Sequence, residues 1–103
     1  MPWPLAIGLA CVERYAAARE RRAARVAVGA LAAREGYALV ETLEVAGDIV
    51  RDDVTLAALR RLQAHSGAKT LLVHGFLPMP MTERIAAETS LSLIAFSPDD
   101  PER

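Results

Sequence analysis

Near its start the chain carries an almost uninterrupted apolar run, Leu5-Ala6-Ile7-Gly8-Leu9-Ala10-Cys11-Val12, and no other segment limits the fold as much. A strand with one wet face alternates polar and apolar residues. A run without alternation belongs to a strand buried on both faces, which means the centre of a parallel sheet with helices on either side. The rest of the sequence follows suit, because three further apolar runs alternate with helical stretches in a βαβα rhythm. An α/β domain is therefore expected, in three layers, with a four-stranded and mainly parallel sheet in the order 2-1-3-4 and the first strand at its centre.

The remaining elements are read from local chemistry. A long helix is expected from about 14 to 35, where Ala, Arg and Glu dominate and no proline intervenes. Gly36 stands where a left-handed cap would close it. Residues 37–45 mix polar and apolar side chains, as a half-exposed edge strand does. Asp52 and Asp53 are placed to cap a second helix with Leu56, Leu59 and Leu62 on one face and Gly67 just past its end. A third strand is expected over 70–74, a short helix over 81–89 after a loop framed by Pro78 and Pro80, and a fourth strand over 91–96. The tail 97–103, with two prolines and four charged residues, is expected to fray. With 103 residues the chain reads as one domain, 1–103, with no internal repeat.

Charge and cysteine usage narrow the classes of function. Twelve basic against thirteen acidic residues give a net charge of -1, so the positive field of a nucleic-acid binder is missing and nucleic acid is an unlikely partner. Cys11 is the lone cysteine and cannot form an intrachain disulfide. Residues 1–5 have neither the basic start of a secretory signal nor a membrane-spanning run. The expectation is a cytoplasmic protein with no membrane partner.

Two segments carry a family likeness. The segments Ala6-Ile7-Gly8-Leu9-Ala10-Cys11-Val12-Glu13 and Ala33-Arg34-Glu35-Gly36-Tyr37-Ala38-Leu39-Val40-Glu41 follow one another at the spacing of an aliphatic strand, a helix and a glycine-aromatic pair opening a second strand. In this the chain resembles the N-terminal catalytic domain of serine recombinases, the resolvase/invertase family, and the likeness runs on through the helix at 56–64 and the strand at 71–73. The resemblance implies a resolvase-like fold of flavodoxin-like topology. It implies as well a chemistry that this chain lacks. The family attacks a DNA phosphodiester with a serine hydroxyl while arginines hold the phosphate. Laid on this sequence, the family pattern puts Glu13 at the nucleophile, Cys11 at the first arginine and Ala17 and Ala24 at two helix glutamines. It puts Asp53 near a further arginine, with Arg51 close by. Leu77-Pro78-Met79-Pro80-Met81 stands where the family has an Asp-Arg-x-x-Arg cluster. The resemblance thus implies a domain without recombinase activity and not an enzyme.

Other chemistry is still open at the strand ends. In an open parallel sheet the functional crevice lies at the carboxyl ends of the strands, where the order changes direction. That crevice would gather Cys11, Glu13, Asp48 and His74, a thiol, two carboxylates and an imidazole able to act as nucleophile, acid and base. The plainer reading makes them ordinary strand-end residues, with Cys11 a small buried hydrophobe. Two histidines and one cysteine far apart form no zinc set, and neither a G-x-G-x-x-G turn nor a Walker sequence is present, so no metal or cofactor is expected. Arg19, Arg21, Arg22 and Arg25 read as a solvated helix face more readily than as a nucleic-acid stripe. Ala16, Ala17, Ala23, Ala24, Ala27, Ala30 and Ala32 make the first helix smooth enough for close packing, within the domain or between subunits. The expected role is an inactive resolvase-like domain serving as a protein-interaction or self-association module, a homo-oligomer or the partner of another protein. The alternative is a regulatory domain that holds a small ligand in the strand-end crevice.

Overall fold

A computed structural model describes residues 3–13, 15–46 and 52–96. Seven elements follow one another: β1 (Leu5–Val12), α1 (Ala18–Glu35), β2 (Ala38–Ala46), α2 (Asp52–Ser66), β3 (Thr70–His74), α3 (Met79–Glu88) and β4 (Ser92–Phe96). The four strands form one sheet in the order β2-β1-β3-β4, with every pairing parallel. This is the expected three-layer flavodoxin-like α/β architecture, with β1 at the centre.

Side-chain size on β1 sorts the two layers. Ile7, Leu9 and Cys11 point to one face, where they join Leu71 and Val73 of β3 and meet Leu56 and Leu59 of α2 and Met81 and Ile85 of α3. Ala6, Gly8 and Ala10 alternate with them and point to the other face, covered by α1 through Ala24, Val28, Leu31 and Ala32. Small side chains on this face let the helix lie close. Gly8 marks the tightest point, because a Cβ there would come within 2.5 Å of Val28 Cγ1 and 2.8 Å of Thr42 Oγ1. The β1–β2 register slips between Ala6, opposite Leu39, and Gly8, opposite Thr42, so β2 carries an extra residue. Such a bulge bends an edge strand and interrupts its pairing surface.

Several boundaries differ from the sequence reading. Helix α1 begins at Ala18 and not near 14, so Ala16 and Ala17 precede it. Residues with high helix propensity run back past this point, but the N-terminal alanine, Ala17, has no side-chain oxygen to cap with. The helix starts where Glu20 can reach back to the Ala17 N–H, at 3.4 Å. Helix α3 begins at Met79, two residues earlier than expected, since Pro80 in the first turn needs no N–H partner. Asp53 lies inside α2, where its carboxylate accepts a hydrogen bond from Arg84 of α3 at 3.1 Å. The expected closures hold, with Gly36 at φ 82° and Gly67 at φ 73°. The tail 97–103 lies outside the described residues.

Gly8→Ala is expected to lower the unfolding free energy by about 1–3 kcal/mol, the range for forcing a methyl into a filled core. Urea denaturation measures it, and Gly29→Ala, where an added Cβ meets nothing within 4 Å, is the matched control and should not destabilise.

Candidate functional site

Between β1 and β3 the order of the sheet reverses, and this is where a strand-end crevice would lie. Cys11 is the second-last residue of β1, with Glu13 one residue beyond the strand, and His74 ends β3 in register with Ala10. Gly75 follows at φ 93°, with its Cα so close to β1 that a Cβ would meet the Cys11 carbonyl oxygen at 2.4 Å. The notch between the two strand ends is thus floored by backbone.

Strand alternation separates the reactive groups. Cys11 joins the cluster beneath α2 and α3, together with Leu9 and Val73. His74 is paired with Ala10, whose side chain faces α1, and so its imidazole leaves β3 on the opposite face from the thiol. Glu13 is exposed, and its carbonyl accepts the Ala16 N–H at 3.1 Å. Asp48 lies outside the described residues. The structure therefore brings the ends of β1 and β3 together without bringing the Cys11 thiol and the His74 imidazole together. Burial also pushes the thiol up to about 11 from 9.0, which leaves it protonated and a poor nucleophile near neutrality. Among the described residues no three His, Cys, Asp or Glu side chains are grouped to hold a metal ion. Nor is any described helix long and apolar enough to cross a membrane.

What the sequence reading missed lies on the rim of these strand ends and on α1. Tyr15, after β1, and Phe76 and Met79, after β3, are exposed at the carboxyl end of the sheet. Helix α1 presents two shallow depressions on its flanks. One, of about 210 Å³, is lined by Ala27, Ala30, Leu31 and Arg34. The other, of about 280 Å³, is lined by Ala18, Arg21, Arg22 and Arg25 with Glu44 of β2. Between them the outward surface of the helix carries Ala23, Val26, Ala30 and Ala33, all exposed. The 3-4-3 spacing of these four residues was available in the sequence, but which face of α1 meets the sheet was not.

No family model, curated protein or solved structure matches the chain.

Cys11 gives a pH signature. Its folded pKa is raised, so the folded state keeps a proton that the unfolded state gives up near 9, and stability falls as pH climbs from about 9 toward 11. Urea midpoints measured across that range should drop less steeply for Cys11→Ala than for the parent. At neutral pH a thiol reagent should modify the native protein far more slowly than the denatured one, and equal rates would show that the thiol is accessible.

Proposed function

We propose that this is a catalytically inactive, resolvase-like domain that works by associating with a second copy of itself through the outward face of α1. The fold order and the likeness over 6–13 and 33–41 support the resolvase-like part. The replaced catalytic positions support inactivity, as do a protonated buried thiol and an imidazole on the far side of the sheet.

The observation that carries the association is the composition of α1 from Ala23 to Ala33. Arg25 is the one charged residue in that stretch, although only part of the helix circumference meets the sheet. A helix that is apolar all round belongs in an interior. Val26 is 66% exposed and sits at the middle of the Ala23, Val26, Ala30, Ala33 seam. Small residues at this spacing let two helices approach closely, and a twofold axis makes one seam serve both copies.

The helix dipoles favour an antiparallel pairing of the two helices. Arg19 continues the seam one turn before Ala23, at the amino end of α1, where the helix dipole opposes a cation. In the antiparallel pair it comes beside the carboxyl end of the other α1, where the dipole is negative and Arg34 is ion-paired to Glu35 at 3.6 Å. A residue misplaced for its own helix is thereby well placed for the neighbouring one.

Sedimentation of the full chain is expected to show a reversible dimer. Val26→Glu combined with Ala30→Glu should raise its dissociation constant at least about 100-fold, with unchanged helix content, since both side chains are exposed in the monomer. A parent protein that stays monomeric at the highest soluble concentration refutes the reading.

A further inference from the structure

The basic flank of α1 has a different character from its seam. Arg21, Arg22 and Arg25 converge on the depression of about 280 Å³ that Glu44 of β2 bounds from below. Arg25 is paired with Glu44. Arg19, Arg21 and Arg22 have no carboxylate partner among the described residues.

This arrangement works against the helix that carries it. Arg21 and Arg25 stand four residues apart and Arg22 and Arg25 three apart, spacings at which like charges repel. Arg21, in the first turn of α1, also stands where the dipole favours anions. A local conflict of this kind, relieved only at Arg25 by Glu44, is what a site built for a ligand looks like.

We propose that the depression is a binding site for a small phosphate-bearing anion. Three guanidiniums against the one carboxylate of Glu44 leave a surplus of two positive charges, which matches a phosphate dianion. Guanidinium forks pair two donors with two phosphate oxygens, so three of them can surround one tetrahedral group, whereas a carboxylate would occupy only one. The ligand is small. Arg21 to Arg25 covers only about 6 Å of helix, and Glu44 on β2 bounds the patch, so a nucleic-acid backbone would run from the arginines onto a carboxylate. Binding draws Arg25 into a shared position between Glu44 and the anion. The recognised group is the same in free phosphate and in a phosphate monoester.

The test titrates the full-length chain with inorganic phosphate and with a simple phosphate monoester, following the arginine Nε resonances at constant ionic strength. Saturable shifts of Arg21, Arg22 and Arg25 are expected with at least one of the two, and acetate should produce none. A larger affinity for the monoester identifies an organic phosphate, and equal affinities identify the free ion. Arg21→Gln with Arg22→Gln should weaken binding at least about tenfold. Lys in place of both arginines should restore it only in part, because an ammonium has no fork. No saturation at tens of millimolar, or an affinity that the double Gln variant leaves unchanged, overturns the proposal. So does a short DNA duplex that shifts the same resonances at far lower concentration than phosphate. Arg21 lies on the far side of the flank from the Ala23–Ala33 seam, so Arg21→Gln alone should sediment like the parent.

Discussion

The rest of the molecule depends on how closely α1 can lie on β1. Gly8 and its neighbours Ala6 and Ala10 present almost no side chain to the helix, and the branched side chain of Val28 fills the space above Gly8. Bulk is moved to the other face, where Ile7, Leu9 and Cys11 meet α2 and α3. This asymmetry fixes the rotation of α1 about its axis. Ala24, Val28, Leu31 and Ala32 must face the sheet, so Arg21, Arg22 and Arg25 are turned toward β2 and Ala23, Val26, Ala30 and Ala33 toward the outside. Both proposed surfaces follow from one glycine-lined approach.

That approach also bears on the strand ends. β1 is held between β2 and β3, and its last residues are locked by main-chain pairing and by Gly75 pressed on the Cys11 carbonyl. A thiol in such a place is shielded from water, and the desolvation that raises its pKa is the same burial that makes it a core residue. Packing and reactivity trade against each other at Cys11, and packing prevails. The exposed Tyr15 and Phe76 show that the loops beyond the strands, unlike the strands themselves, were free to keep large side chains in water.

Most of the fold was legible because its signals are local. β1 and β3 have the limits that their apolar runs give, and Gly36 and Gly67 stop their helices because a positive φ is easiest for glycine. The start of α1 was less legible, since alanine favours a helix without marking its end. The bulge in β2 had no signal in a strand whose composition is ordinary for an edge. Of the candidate site, the residues were found and their relation was not. Cys11 and His74 end neighbouring strands, but the register pairs His74 with Ala10, and a shift of one residue decides which face a side chain takes. Only the pairing supplies that shift.

A net charge near zero concealed how unevenly the charges of this chain are arranged. The amino half of α1 is basic, its carboxyl half nearly neutral, and the edge of β2 acidic through Glu41 and Glu44. Cancellation over the whole chain removes the long-range field that draws a polyanion and leaves short-range fields, which act within about a Debye length of 8–10 Å. Short-range fields of this kind suit the small anion proposed for the arginine flank and leave the uncharged seam untouched. At 3.6 residues per turn the centre of the arginine flank and the centre of the alanine–valine seam lie about a third of a turn apart on α1. The two proposed ligands, an anion and a second copy of the chain, would therefore be held by different side chains of one helix, with Arg22 at the border between them.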